Sequence, residues 1–450
     1  MEAFAWLFIL TLGAVFGVAF AVRHFKDRAA NFGAAASGFS GGDGFGPIGT
    51  GAVAHRAFEG EVEGFDRYVE TIERGSGDSR TTTTHFVLGG RGRIPPELTL
   101  VRESTWQGLR KAFGKDDVRL DEGEFDALVN VQGPEDVALA ALGSQARKRV
   151  MDFIAAGGEV HSGDLKWPLR TPAGANVEEL VAWMLPLARS LVAVSVPAAL
   201  LANVAGDPNP KLRLRCLAAL ATGHAGAPET RQALEQGLAD GDPEVRGLAA
   251  QHLEASPAVQ QTLERLVEDL EAGEQVRASA LERLSQLYPY PSIALLVRRA
   301  ILEDVEPLRT VAVEAAGRGK DASLVVTLHN LVSTGDEARG LALARAFEQI
   351  GGAQAEEGLL ALLQSSSDSV RREAAVGLGK IGTIRCVEPL LPLSGSVFGD
   401  AALKEAARDA VRAIQARLGD AGGGRLSVVD ERAGEGGLSV ESHAAERERG

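Results

Sequence analysis

The sequence predicts a mainly α protein, with a helical-repeat solenoid in the carboxyl-terminal half, an α+β domain ahead of it and one transmembrane helix at the amino terminus. Three observations carry this. Basic residues recur at Arg213, Arg246, Arg277, Arg309, Arg339, Arg371 and Lys404, always 30 to 33 residues apart, which is a repeat period. Between residues 51 and 170 helical periodicity gives way to short apolar runs bounded by Gly, Ser, Asp and Pro, the punctuation of strands. From Phe4 to Val22 no charged residue occurs.

That first segment is 19 residues long, enough helix to cover about 28 Å, roughly one hydrocarbon core. Arg23, His24, Lys26 and Arg28 follow at once. Basic flanks stay on the cytoplasmic side, so the expected topology is a single pass in the inner (cytoplasmic) membrane, amino terminus out and the bulk of the chain in the cytoplasm. A cleaved signal is the rival, with Ala19-Phe20-Ala21 as a small-x-small site, but the leader carries Glu2 and no Lys or Arg. Gly13 and Gly17 form a GxxxG pair that permits close helix approach and homodimerisation.

Residues 29–50 alternate Gly with Ala and Ser, too little apolar surface to order a backbone, and read as a flexible linker. In the domain at 51–170, strands are expected at 57–62, 67–72, 84–88, 98–101, 125–131 and 158–166. Pro134-Glu135-Asp136 opens a helix expected to run to Ala156, since Pro suits the first turn and acids suit the positive end of the dipole. A shorter helix is expected at 106–113. Helices over 176–204 connect the domain to the repeats and cap them, and the Gly, Glu and Arg-rich tail at 419–450 reads as disordered.

The polar candidates in the α+β domain are His85, His161, Asp121, Glu122, Glu124, Asp126 and Asp164. Asp121-Glu122-Gly123-Glu124 lacks the spaced Asx/Gly/Glu loop of a calcium-binding helix-loop-helix and reads as a solvated turn. No HxxxH, CxxC or HExxH pattern, nucleophile elbow, Walker loop or Rossmann fingerprint occurs. Gly89-Gly90-Arg91-Gly92-Arg93 offers backbone amides that cradle anions, though a hairpin connection needs the same residues. No catalytic residue, cofactor site or metal site is assigned, and the expected class is not an enzyme. Only Cys216 and Cys386 are present, which excludes iron–sulfur clusters and disulfide frameworks. A net charge of −14 argues against nucleic-acid binding, because phosphates need a basic face.

Across 205–418 each basic residue follows an apolar one. Three positions on stands Cys216, Ala249, Ala280, Ala312, Ala342, Ala374 or Ala407, and seven on stands Leu220, Leu253, Leu284, Ala316, Ala346, Leu378 or Val411. The spacing i, i+4, i+8 places these on one helix face. Asp242, Glu274, Asp336, Asp368 and Asp400 precede most of the basic residues, where they suit a helix N-terminus. The seven basic residues are therefore read as a structural ladder of capping and inter-repeat hydrogen bonds.

The run Asp368-Ser369-Val370-Arg371-Arg372-Glu373-Ala374-Ala375-Val376-Gly377-Leu378-Gly379-Lys380-Ile381-Gly382 resembles a HEAT repeat of the short bacterial kind, also found in phycobilisome lyase-like proteins. Asp242-Pro243-Glu244-Val245-Arg246 with Ala249, Ala250 and Leu253 is a second match. Departures are Val305 in place of the usual acid and Ala338 in place of Val or Leu. The resemblance implies antiparallel helix pairs stacked on a continuous core, and a surface that binds a protein partner. A membrane-tethered, non-enzymatic scaffold is the expected function. The alternative makes the α+β domain an enzyme or small-ligand sensor, with the repeats recruiting its substrate or partner.

Overall fold

The computed structural model describes residues 53–74, 81–103, 117–169, 176–192, 195–332, 336–395, 400–420, 425–428 and 438–441. The expected transmembrane helix, the Gly13/Gly17 pair, the linker at 29–50 and the short helix at 106–113 lie outside them. Among the described residues no single helix is long and apolar enough to cross a membrane. The chain divides into two compact units, Met1–His252 and Leu253–Gly450. The α+β domain therefore shares a unit with the first helices of the repeat run, although its composition had suggested an end near 170.

The first unit is built on a seven-stranded sheet, antiparallel at every pairing, with strand order β1-β2-β3-β7-β6-β4-β5. The strands are β1 Val53–Val62, β2 Phe65–Arg74, β3 Thr81–Gly89, β4 Thr99–Arg102, β5 Val129–Gln132, β6 Glu159–His161 and β7 Asp164–Leu169. Two tight hairpins set its register. Glu63-Gly64 and Ser162-Gly163 each take positive φ at both central positions, the conformation whose twist matches paired strands. The run at 158–166 is therefore two strands and a turn rather than one strand.

Sequence periodicity misplaced two other elements. Residues 125–128 belong to a short helix, α1 Gly123–Leu128, and only β5 is extended. The Asp126 carboxylate accepts from the amides of Leu120 (2.9 Å) and Glu122 (3.2 Å) and so folds the chain into a turn. The helix expected at 134–156 is two, α2 Glu135–Ala141 and α3 Ser144–Ala155. Asn203 donates to the carbonyls of Leu139 (2.8 Å) and Ala140, and Arg147 donates to that of Leu142 (2.9 Å), so the break is stabilised by one local partner and one far along the chain.

Phe86, Leu88, Leu165 and Trp167 share one sheet face by register and are buried. Helix α3 and helix α4, Val177–Leu191, cover that face, and Phe153, Trp167 and Trp183 form an aromatic cluster, with the two indoles edge to face at 4.8 Å. Helices α5 Val196–Gly206, α6 Pro210–Gly223, α7 Pro228–Gly237 and α8 Pro243–His252 complete the unit.

The second unit is a run of helix pairs: α9 Pro257–Glu268 with α10 Glu274–Leu287, α11 Tyr290–Leu302 with α12 Glu306–Arg318, α13 Val325–Asn330 with α14 Glu337–Ile350, α15 Ala353–Leu362 with α16 Asp368–Ile381, and α17 Val387–Gly395 with α18 Ala401–Asp420. The helices bearing the basic residues pack on one another in order, α10 on α12, α12 on α14, α14 on α16 and α16 on α18. The tail at 419–450, expected to be disordered, carries two short strands that pair antiparallel, β8 Arg425–Val428 and β9 Leu438–Glu441.

Candidate functional site

The repeat register places its small residues where the pattern requires. Cys216, Ala249, Ala280, Ala312, Ala342, Ala374 and Ala407 are all buried. A second set of small residues went unnoticed in the sequence. Along the row from α12 to α18 a glycine stands at each successive contact: a Cβ on Gly317 would lie 2.6 Å from the Ala346 Cα, one on Gly340 would lie 2.8 Å from Val370 Cγ2, and one on Gly379 would lie 3.1 Å from the Ala410 Cα. These helices approach closely because those side chains are absent. In the fifth repeat Ala338 is exposed, and Gly340 makes the contact two residues on. That explains the departure from Val or Leu at position 338.

The ladder residues bind turn carbonyls and neighbouring carboxylates. Arg213 donates to the Asp207 carbonyl (2.9 Å), Arg246 to that of Asp240 (3.0 Å) and Arg371 to that of Ser365 (3.1 Å), each six residues back. Arg277 reaches the Val267 carbonyl at 2.8 Å. Arg213 also forms a two-pronged pair with Asp240 of the next turn, at 2.8 and 2.7 Å. Arg277 pairs with Glu303, Arg309 with Asp304 and Glu306, and Arg339 with Glu306. Lys404 begins the last helix of the row but one turn in, and Asp400 accepts from the Ala402 amide. Three of the four carbonyls lie in the turn before the helix and the fourth, Val267, in the last turn of α9, so the guanidinium groups satisfy acceptors that the helices leave open and hold the turns in place. Asp242 and Asp336 accept from helix-start amides as the pattern predicts, whereas Ser367 rather than Asp368 caps α16.

Burial raises the Asp240 carboxyl, and the Arg213 guanidinium with the Asp242 amide outweighs that, holding it below the ordinary aspartate range. Burial pushes the Cys216 and Cys386 thiols up to about 12, helped at Cys216 by Asp207 and at Cys386 by a hydrogen bond to Glu356.

Two tyrosines clamp across repeats. The Tyr288 hydroxyl accepts from the Ser256 amide (3.0 Å) and donates to the Ser256 carbonyl (2.8 Å), while Tyr290 donates to Asp321 (2.9 Å). One proline separates them.

In the α+β domain, His85, His161 and Asp164 share one sheet face by register, the face opposite the helices. Their polar neighbours there are residues that no local motif marks. Glu70 is buried and accepts from Arg56 (3.0 Å) and Lys166 (2.7 Å), and Tyr68 donates to Asp164 (3.0 Å). Burial raises the Glu70 carboxyl, but Lys166 and Arg56 together hold it below the usual range. Burial and the nearby Asp164 raise the Tyr68 phenol. His85 lies directly across from Glu70 in the β2–β3 register, and the His161 ring lies 3.4 Å from the Thr99 hydroxyl.

The remaining candidates apart from Glu124 make structural contacts. Arg91 pairs with Glu61 (2.7 Å) and Asp66 (2.6 Å), and Arg93 donates to the Glu63 carbonyl (2.5 Å) and stacks 4.6 Å from the Phe65 ring centroid, so the Gly/Arg turn holds the β1–β2 hairpin. Asp121 lies 3.5 Å from Arg215, Glu122 pairs with Arg147, and Glu124 is exposed. Among the described residues no group of three or more His, Cys, Asp or Glu stands where it would hold a metal ion.

A family model for HEAT repeats matches residues 197–285. Together with the run of consecutive helices, this shows that HEAT repeats form part of the chain. No curated protein matches the sequence. Similar solved structures include human deoxyhypusine hydroxylase in complex with glycerol, 18% identical, covering 49% of this chain and 85% of that one with a TM-score of 0.24. An engineered protein is 17% identical over 62% of this chain and 83% of its own, with a TM-score of 0.35. A second is 18% identical over 49% and 89%, with a TM-score of 0.25.

Proposed function

We propose, on the premise that HEAT repeats form part of this chain, that it is a membrane-tethered scaffold that binds a protein partner through its repeats and performs no chemistry of its own. Residues 4–22 anchor it, and the repeats face the cytoplasm. The observation that carries the reading is the ordered row α10, α12, α14, α16 and α18, in which each helix packs on the next. Such a row builds an extended surface, whereas its basic residues hold turns and neighbouring helices and so leave recognition to other side chains. The test is a pull-down of the full chain from membranes read by mass spectrometry, beside a reporter fused after Gly450. A partner recovered by the wild type and lost when exposed residues of the second unit are changed supports the scaffold. Activity of a periplasm-only reporter overturns the topology.

A second reading has one observation in its favour. The polar sheet face that carries His85, Glu70, Lys166, Tyr68 and Asp164 has the composition of a small-ligand or catalytic surface. Turnover or ligand binding that disappears in His85→Ala while the fold is kept would favour it.

A further inference from the structure

Helix α2 belongs to the α+β domain in the chain and to the repeats in space. It follows β5, a strand at the sheet edge, and precedes α3, which packs on β4, β5 and α4. α2 itself packs on α5 and α6, the helices with which the HEAT-repeat match at 197–285 begins, and among the described elements no strand packs on it to that extent. Four consecutive residues of its seven, Ala138, Leu139, Ala140 and Ala141, are buried. A helix buried over four consecutive positions is enclosed on every side, and three of these side chains are small enough to let both neighbours approach closely.

The repeats hold α2 at both ends. Asn203, the one polar side chain of α5, donates to the carbonyls of Leu139 and Ala140 at 2.8 and 3.4 Å, acceptors in the last turn that a helix leaves open. At the other end Arg215 of α6 donates to the Glu135 carboxylate at 3.1 and 2.7 Å, and the His224 ring, just past α6, lies 3.1 Å from the Asp136 carboxylate. Gly143 joins α2 to α3, and a Cβ there would lie 2.5 Å from Asn203 Oδ1, so the junction also rests on α5.

Each unit of a solenoid is covered by its neighbours, and the terminal unit needs a cap on the side where no neighbour follows. α5 has no charged residue and a single polar one, so it offers no polar face with which to close the stack itself. We propose that α2 is the amino-terminal capping helix of the repeat stack, supplied by the α+β domain. It closes that end: neither a further repeat nor a second copy of the chain can stack there while α2 is in place, and recognition is confined to the flanks of the array. The cap holds whether or not the repeats bind a partner.

The experiment is amide hydrogen exchange of the purified full-length chain, read by mass spectrometry on separate peptides. Protected amides exchange through local opening, so a helix responds to changes in the element that holds it. Leu217 is buried in α6 and faces α7, where a Cβ on Gly237 would lie 3.1 Å from it. Leu217→Ala therefore loosens the stack from its repeat side, and it should speed exchange over 135–142 at least about tenfold, together with α5 and α6, while β2 and β3 stay within about twofold of the wild type. Phe86→Leu, in the sheet core, should speed β2 and β3 and leave 135–142 within about twofold. Arg215→Gln removes the pair with Glu135 without opening a core cavity; it should speed exchange over 135–142 at least about threefold, and it carries the test if Leu217→Ala does not fold. A response of 135–142 to Phe86→Leu and not to Leu217→Ala, an equal response to both, or no change in Arg215→Gln overturns the proposal.

Discussion

Arg147 and Asp207, 60 residues apart, form a two-pronged ion pair at 2.7 and 3.1 Å with 3% and 1% of their side chains exposed. Arg147 stands on α3, against the sheet, and Asp207 caps the turn that opens the repeat run. The pair joins the α+β domain to the first repeat helices within one unit. Replacing Asp207 by Ala leaves a buried guanidinium with only Glu122 as a charge partner, and is expected to cost about 3–5 kcal/mol. Replacing both by apolar residues, Arg147→Met/Asp207→Leu, should recover most of that loss. Urea denaturation followed by tryptophan fluorescence measures both, and equal losses in the single and double variants would refute the coupling.

The glycines of the basic-residue row yield a prediction of sign. Gly317→Ala adds a methyl 2.6 Å from the Ala346 Cα, and the overpacking of about 1–3 kcal/mol outweighs the roughly 1 kcal/mol that Ala gains over Gly in helix propensity. Gly223→Ala meets nothing within 4 Å and should be neutral or slightly stabilising. Melting temperatures that shift in the same direction in both would contradict the packing account.

Ala374 is fully buried, and Arg372 is half-exposed. Ala374→Leu overpacks its slot and Ala374→Glu adds a buried charge, so each should destabilise by about 1–3 kcal/mol or more, against under about 0.5 kcal/mol for Arg372→Glu. Chemical denaturation midpoints of the three variants decide it.

The HEAT-like half was largely legible because a solenoid repeats the same local demand: an apolar residue, a base, a small residue and an apolar residue at fixed offsets, with each error diluted by six other copies. The α+β domain has no such redundancy. Glu70, Lys166 and Tyr68 meet only because β2, β3 and β7 are neighbours, and β7 lies about a hundred residues from β2 in the chain. The break at Leu142 depends on Asn203, which no window around 142 contains. Asp126 looked like a strand residue because the apolar alternation around it fits period two, and its carboxylate instead closes a turn. The turn that carries Arg91 and Arg93 offered an anion cradle to a local reading because the partners that occupy the two side chains sit in another hairpin.

The depressed Asp240 carboxyl makes a prediction for pH. A carboxylate whose folded pKa lies below its unfolded value, near 3.9 for Asp, adds stability that is fully present above that value and is lost as pH falls through the folded pKa. The wild type should therefore lose stability below about pH 4 more steeply than Asp240→Asn, which should already be weaker by roughly 1–2 kcal/mol at pH 7. Parallel stability curves for the two would rule out the Arg213 pair as the cause.

Both thiols are buried and raised to about 12, so the thiolate fraction near pH 8 is negligible. A chromogenic disulfide reagent should leave Cys216 and Cys386 unlabelled in the native chain over the time in which it labels both in denaturant. Rapid native labelling of either would place that cysteine in solvent.

The aromatic cluster of Phe153, Trp167 and Trp183 gives the molecule an optical asymmetry. Every tryptophan in the chain precedes residue 252, and the second unit has none, whereas two of the three tyrosines, Tyr288 and Tyr290, lie in that second unit. Light absorbed at the red edge of the protein band is emitted from the first unit alone, and near-ultraviolet circular dichroism from the edge-to-face indoles vanishes when that unit melts. Far-ultraviolet ellipticity reports the helices of both units, so the part of it lost apart from the aromatic signal belongs to the second. A single unlabelled sample heated once thus carries two independent clocks, and coincidence or separation of their midpoints reveals whether the units unfold as one or in sequence.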